Sequence, residues 1–356
     1  MKLLESTLRS IEPACAASRE AARERILSLT MPRWALGRLL DLAVDLAGIV
    51  RNCHPEVGRK RVVLMAGDHG IAAEGVCPQP SEVTVQMVRN FARGGGGINV
   101  LASVAGAKVT LADFGVAADL SDLAGRGVLL DRKIAPGTAD FAIGPAMSRE
   151  QAVAAIEAGI RLAEELAPET DVFATGEMGI GNTSPSSAIV TVLSGATDPA
   201  PFVGRGAGLA PEKLAHKADV IRRGIELNRP DPADPVDVLA KVGGFEIGGI
   251  AGLILGCAKL RRPVVVDGFI SSAGALIAAA LSPASRDAMI LAHGSAEPGH
   301  AAMARLLGKQ PLLDLELRLG EGTGAALAMP LLDAAAAVLT RMTTFEEAAV
   351  TTEGLK

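Results

Sequence analysis

The sequence predicts an α/β protein, with one mostly parallel sheet flanked by helices and a smaller all-helical lobe built from both chain ends. Three observations carry this. Short apolar runs, most of them rich in β-branched residues, recur along the chain, and each ends in a small, polar turn. Amphipathic helical patterns lie between the runs. The first 55 residues show helix spacing with no strand signal. Continuous apolar runs suit parallel strands buried on both faces, and strand–helix alternation gives a parallel sheet.

In the N-terminal segment, Leu36, Leu39, Leu40 and Val44 fall at helix spacing. The first strand run, Arg61–Met65, passes into a turn ending at Gly67–Gly70. The second, Lys108–Asp113, ends at Phe114–Gly115, and the third, Thr170–Ala174, at Thr175–Asn182. Arg262–Val266 ends at Asp267–Phe269, and Ala288–Ala292 at His293–Gly294. A helix is predicted over Ser148–Leu166. There Val153, Ile156, Ile160 and Ala163 share one face, Glu157, Arg161 and Glu165 lie to another side, and Pro168 ends the run. Asp231–Asp237 reads as a proline- and aspartate-rich loop, and Gly324–Val350 as an Ala-rich helix. The expected division is a helical domain of residues 1–55 plus 330–356 and an α/β domain of residues 56–329. Periodicity leaves the strand order open.

Composition narrows the function. Of 356 residues, 49% are hydrophobic and 40 are Gly, which argues against disorder. Aromatics are 3%, with one Trp (Trp34) and no Tyr, so the core must be filled with aliphatic side chains and alanine. A formal net charge of -5 leaves no global basic field, and so few aromatics leave no base-stacking platform, which excludes a nucleic-acid binder. Cys15, Cys53, Cys77 and Cys257 are scattered, with no CxxC pair, and are expected to be reduced thiols in a cytoplasm. Glu5, Arg9 and Glu12 interrupt any signal-peptide run. The longest uncharged stretches, Met178–Thr197 and Gly268–Ser285, are broken by polar residues and proline, so neither reads as a bilayer span. Partners are therefore expected to be small molecules rather than nucleic acid or membrane.

Ligands of an open parallel sheet bind outside the carboxyl ends of its strands. The turns expected there concentrate Gly with Asp, His, Glu and Ser, for example Gly176-Glu177-Met178-Gly179-Ile180-Gly181-Asn182, Gly204–Gly208 and Gly320-Glu321-Gly322. Glycine lets backbone N–H groups approach a ligand, and a following helix N-terminus favours anions, so several such loops point to a phosphate-bearing ligand. No GxxxxGK[ST] loop occurs, and GxGxxG is absent from the first strand turn. Glu177 and Glu321 are bracketed by glycines with little local charge compensation, so partial burial would make either a usable base. A helix-start carboxylate stabilised by the dipole is the plainer account of Glu321. Lys217, Arg205 and Arg318 could clamp a phosphate or simply form surface pairs. Asp68, His69, Asp113, Asp267 and His293 could build a metal site, yet no HExxH or HxH spacing supports one and turn-stabilising roles suit them better. No GxSxG elbow is present.

Seven segments follow one another in order and spacing: MAGDHGIAAEGV, SEVTVQMVRNFARGGGGINVLA, GEMGIGNT, GRGAG, VDGFISSAGALIA, SAEPGH and LRLGEGTGAALAMPLL. Together they closely resemble the nicotinate-nucleotide–dimethylbenzimidazole phosphoribosyltransferase family, over about Pro32 to Phe345. The resemblance implies a homodimer with a Rossmann-like large domain and a small helical domain from both chain ends. It implies transfer of phosphoribose from nicotinate mononucleotide to 5,6-dimethylbenzimidazole, giving α-ribazole 5′-phosphate and nicotinate for the lower ligand of cobalamin. By the resemblance, Glu321 matches the proposed catalytic base and Glu177 the acidic residue near the base pocket, with Gly179 and Gly181 beside the phosphoribosyl group. Gly206, Lys217, Ser295 and Arg318 match the phosphate surroundings, Asp267 a further pocket position, and Gln86 and Met87 the benzimidazole wall. No metal or cofactor is implied. After Gly75-Val76 the family reads Ser-Ala-aromatic-Pro, whereas this chain has Cys77-Pro78-Gln79-Pro80. That loop lines the acceptor pocket in the family, so the preferred azole stays open here.

The residues suit this chemistry. A quaternary pyridinium leaves as an uncharged ring nitrogen, so the remaining task is to make an azole nitrogen nucleophilic, which one partly buried glutamate can do. A β-configured donor and an α-configured product imply a single in-line displacement with inversion. Two other readings remain open on residues alone: a metal-dependent hydrolase using Asp68, His69, Asp267 and His293, and a non-catalytic nucleotide or azole sensor.

Overall fold

The computed structural model describes residues 2–351. In chain order it runs α1 (Lys2–Ser10), α2 (Ala16–Ser28), α3 (Arg38–Val50), β1 (Lys60–Gly67), α4 (Glu82–Ala92), α5 (Gly97–Val104), β2 (Ala107–Gly115), α6 (Ser121–Gly125) and β3 (Leu129–Asp131). It continues with α7 (Arg149–Leu166), β4 (Val172–Met178), α8 (Thr183–Leu193), α9 (Leu214–Asn228), α10 (Pro235–Val242) and α11 (Phe245–Lys259). The last elements are β5 (Val264–Val266), α12 (Phe269–Leu281), β6 (Met289–Leu291), α13 (His300–Leu307) and α14 (Thr323–Arg341).

The six strands form one sheet in the order β3-β2-β1-β4-β5-β6, and each strand runs parallel to its neighbours. The order reverses between β1 and β4, where Met65 pairs with Glu177 and Ala66 with Met178. A crevice opens at such a switch point because the two crossovers leave in opposite directions. Side chains alternate across the sheet as the pleat requires. Val63 and Met65 enter one core with α7, α8, α11 and α12. Val62, Leu64 and Ala66 enter the other, with α2, α3, α5 and α14.

Few aromatics are needed because helices meet through small residues. α7 and α11 pack closely, and a Cβ on Gly159 or Gly252 would run into backbone of the facing helix. α7 starts as its sequence predicts: Ser148 accepts from the Gln151 N–H at 3.2 Å, and Gln151 Oε1 accepts from the Ser148 N–H at 2.9 Å.

Three local readings change. The expected Asp231–Asp237 loop ends early, because Asp234 caps α10 by accepting from Val236 and Asp237 N–H groups, with Pro235 at the first helical position. The expected helix over Gly324–Val350 stops at Arg341. Met342 is extended and Thr344 bridges antiparallel to Leu29, so the chain turns back onto α2. The strand β3, three residues paired with β2 alone, carries too short an apolar run to register in the sequence.

The helices of the two chain ends pack together: α2 against α3, and α14 against both. α1 stands apart, with Leu4 on the α7/α11 side of the sheet. Among the described residues α14 alone is long and apolar enough to cross a membrane; here it packs on α3, α5 and three strands.

Candidate active site

A cavity of about 230 Å³ opens at the carboxyl ends of the central strands. Met178–Ile180 and Asn182 at the end of β4, Asp267–Ile270 after β5, and His293, Ser295 and Glu297 after β6 form its floor, and Arg318–Glu321 and helix α4 close two sides. Chain segments far apart in sequence meet here because each leaves the sheet on the same edge.

Glu321 is 6% exposed and lines this cavity. Gly320, Glu321 and Gly322 all have positive φ, at 82°, 63° and 88°. Two glycines adopt this freely, whereas for glutamate it costs roughly 1–2 kcal/mol, a strain typical of functional loops. Across the cavity wall, α5 begins at Gly97, and Glu321 Oε2 accepts from the Ile98 N–H at 3.1 Å. Burial raises the Glu321 pKa, and the amides of Ile98 and Gly97 hold it down. The carboxylate therefore sits in the positive end of a helix.

Glu177, at the end of β4, is also 6% exposed. Its carboxyl accepts from Asn182 Nδ2 and from the backbone N–H of Glu321. Burial first, then the charges of Asp267 and Glu246, push its pKa up to about 8. The two glycine-bracketed carboxyls thus differ in setting: one is held by helix-end amides, the other faces like charges.

Asp267, on the turn after β5, is buried and its pKa is raised by that burial. Its oxygens accept from Gly322 N–H (3.2 Å) and Ala325 N–H (2.9 Å), which anchors the Glu321 loop to the start of α14. His293 Nδ1 lies 3.8 Å from Asp267 Oδ1. Beneath the floor His69 Nε2 meets Glu246 Oε1 at 2.7 Å, both fully buried.

At the other end Lys217 projects from α9 with its ammonium nitrogen donating to Thr183 Oγ1 (2.7 Å) and Gly204 O (3.1 Å). Burial pushes its pKa down to about 8, opposed by the charge of Glu297. Glu297 Oε1 accepts from the Gly206 N–H at 2.9 Å, and Ser295 Oγ accepts from the Glu297 N–H at 3.3 Å. The Ser295 N–H donates to His300 Nδ1 at 3.1 Å; burial and His293 push His300 down to about 4, so its ring is a neutral acceptor. The Gly206 amide and the Lys217 ammonium are thus taken up within the protein, and the groups they leave facing the cavity are the Thr183 and Ser295 hydroxyls and the Glu297 carboxyl.

Of the residues singled out in the sequence, Glu321, Glu177, Met87, Gly179, Gly206, Asp267, Ser295 and Arg318 line the one cavity, Arg318 at its exposed rim. Lys217 lies just behind the wall and reaches it through Thr183. Gln86 is exposed and off the lining of this cavity, because the α4 face toward it carries Val83 and Met87, one turn apart. Gly181 is also off the lining; with φ of 91° it shapes the turn against Ala72. Sequence reasoning missed Val83, Asn182, Thr183 and Glu297 as lining residues, whereas Gln79 lines the cavity from the loop that the resemblance had marked. The i−4 spacing from Met87 could have found Val83, and Asn182 and Thr183 stand in the loop that holds Glu177.

Among the described residues no group of three or more His, Cys, Asp or Glu side chains could hold a metal ion. His69 is committed to Glu246, away from His293 and Asp267, so the four-residue metal reading lacks its geometry.

The chain is similar to known proteins over nearly its whole length. A family model described as phosphoribosyltransferase matches residues 11–350. The nicotinate-nucleotide–dimethylbenzimidazole phosphoribosyltransferase of Syntrophotalea carbinolica is 58% identical over 351 residues, 98% of this chain and 99% of that protein. Its counterpart in Desulfotalea psychrophila is 55% identical over 352 residues, 99% of each chain. A crystal structure of CobT from Thermus thermophilus superposes with a TM-score of 0.89 at 46% identity, covering 94% of this chain and 99% of that one.

Proposed function

Since this chain belongs to the nicotinate-nucleotide–dimethylbenzimidazole phosphoribosyltransferase family, we propose that it moves phosphoribose from nicotinate mononucleotide to 5,6-dimethylbenzimidazole, with Glu321 as general base. The observation that carries the proposal is one cavity at the carboxyl ends of the strands lined by two buried carboxyls, Glu177 and Glu321, and by the Thr183 and Ser295 hydroxyls. In this reading the phosphate lies at Gly206 and Ser295 with Lys217 behind them, the reacting sugar carbon near Glu177, and a flat base along Val83, Met87 and Leu319.

Glu321 removes the proton from the distal azole nitrogen, the freed electron pair on the other nitrogen attacks the anomeric carbon, and the nicotinate nitrogen leaves with the old bonding pair. Attack and departure lie on opposite faces, so configuration inverts through an oxocarbenium-like state. The amides of Ile98 and Gly97 offset part of the rise that burial causes in the base, and residues 320–322 hold it on a left-handed backbone. Glu177, protonated near neutrality, gives the sugar a hydrogen-bond donor instead of a second negative charge. Holding both rings in line supplies the larger share of acceleration. A division into a helical lobe (residues 1–55 and 330–356, with α1 lying outside the lobe and residues 1 and 352–356 outside the described ones) and an α/β domain, a homodimer and a cytoplasmic setting complete the reading that family membership supports.

The test is to incubate chelator-treated protein with nicotinate mononucleotide and dimethylbenzimidazole and separate the products. Nicotinate and an α-riboside phosphate should appear in equal amounts. Nucleotide loss without a riboside would mean hydrolysis, and binding without turnover a sensor. Glu321→Gln should still bind both substrates but lose roughly tenfold or more in kcat; an unchanged kcat removes Glu321 from the base role.

A further inference from the structure

Of the carboxyls that line the cavity, Glu297 is the one to which the transfer reading gives no task. It follows Ser295 on the loop after β6, and its backbone is fixed: its N–H donates to Ser295 Oγ at 3.3 Å and its carbonyl accepts from the His300 N–H at 3.0 Å. The carboxyl can therefore move only by rotating its side chain. Oε1 accepts from the Gly206 N–H at 2.9 Å, and Oε2 packs so closely on Gly204 that a Cβ there would overlap it. The Gly204 carbonyl also accepts from the Lys217 ammonium, so carboxylate and ammonium meet at one residue. Glu297 thus holds the groups on which the transfer reading places the nucleotide's phosphate. It holds them poorly. Oε2 is buried without a partner, and a carboxylate served by one amide on one oxygen is far from satisfied. A phosphate monoester carries three acceptor oxygens and more charge. It can take the Gly206 amide and also the Thr183 and Ser295 hydroxyls, which accept within the protein and keep their own protons to donate.

We infer that the Glu297 carboxylate is a resident stand-in for the substrate phosphate: the nucleotide's phosphate displaces it from the Gly206 amide, and its presence there keeps free inorganic phosphate out. Two anions cannot share one amide, so any phosphate must first turn Glu297 aside. The mononucleotide offsets that cost through its ribose and ring, which meet Glu177 and the apolar wall. Inorganic phosphate has no such contacts and meets only the like charge. The inference rests on the transfer reading above and adds a residue that sets specificity for a phosphate carried on a nucleoside.

The test measures inorganic phosphate as an inhibitor competing with nicotinate mononucleotide, at ionic strength held constant with chloride, in the wild type, Glu297→Gln and Glu297→Ala. Ki for phosphate should fall roughly tenfold or more in Glu297→Ala, and KM for the mononucleotide should fall with it. Glu297→Gln, similar in shape but uncharged, should lie between. A merely structural role gives the opposite sign, because a loosened Gly204–Gly208 loop weakens every phosphate ligand and raises both constants. The rise in Tm that phosphate causes should follow the same order, alanine above glutamine above wild type, and it decides the question for a variant that folds but turns nothing over. Equal Ki and equal Tm rise in all three proteins, or weaker phosphate binding in either variant, overturns this inference while the transfer reading stands. No transfer by the wild type overturns the transfer reading, and the Tm series then still shows whether Glu297 excludes phosphate.

Discussion

Replacing Glu177 by glutamine makes the protein's stability less sensitive to pH, and the size of the change follows from where that carboxyl sits. It is buried, and burial with the charges of Asp267 and Glu246 moves its pKa from 4.5 to about 8. Between those values the folded state keeps a proton that the unfolded chain has released. Stability contributed by this group is therefore full below the unfolded value and is lost as pH rises toward the folded one. Across that window each step of one pH unit costs the folded state about 1.4 kcal/mol, so from pH 5.5 to 8.5 the wild type loses about 3 kcal/mol through this residue alone. Glutamine never ionises and loses none of it. It does surrender one of the acceptor oxygens serving Asn182 and the Glu321 amide, a pH-independent cost of about 1 kcal/mol. Urea unfolding of both proteins without ligand, at pH 5.5, 7 and 8.5, measures the difference directly. The stability of wild type minus variant should fall by about 3 kcal/mol across the series. A difference constant with pH would show that Glu177 is ionised throughout, and would remove its role as a protonated donor.

Two further outcomes are expected. kcat/KM should fall toward acid as Glu321 takes up its proton, and toward alkali near pH 8, where Glu177 ionises and Lys217 discharges. If the alkaline fall persists in Glu177→Gln, Lys217 is its source. Gly97→Ala places a Cβ 3.1 Å from Glu321 Oε2 and 2.9 Å from Leu319 Cδ2, crowding the base out of line. Steady-state assays should show kcat reduced roughly tenfold while the Tm is held or raised, since alanine suits a helix start better than glycine; full activity would mean the Glu321 position is not critical.

The large pattern was legible because burial on both faces leaves a mark on local composition. Five of the six strands announced themselves as apolar runs closed by glycine, and Ser148 with Gln151 marked the start of α7. β3 left too little apolar sequence to read, being three residues on one neighbour. Glu177 and Glu321 stood out for their glycine brackets, and those glycines turn out to serve backbone conformation and close approach at residues 320–322. What stayed hidden needed helix phase or distant partners. Gln86 and Met87 differ by one position, and only the fold decides that Met87 faces the cavity. Lys217 read as either a phosphate clamp or a surface pair, and nothing in the sequence told that its ammonium is sealed by Thr183 and Gly204, residues brought to it by other loops. The end of α14 was hidden for the same reason, because Leu29 and Thr344 meet only in the folded chain.

The tie between Asp267 and the start of α14 bears on when this protein becomes functional during its own synthesis. Every strand lies before residue 292, so the sheet and its α7–α11 core can form while the last stretch is still inside the ribosome. Glu321 arrives later, and the helix that anchors its loop completes the second core only through residues as late as Leu339. Arg25, made near the beginning, then grips the carbonyls of Leu339 and Met342. The strand-end loops that line the cavity therefore precede the base, whose loop is fixed only once the two chain ends have met.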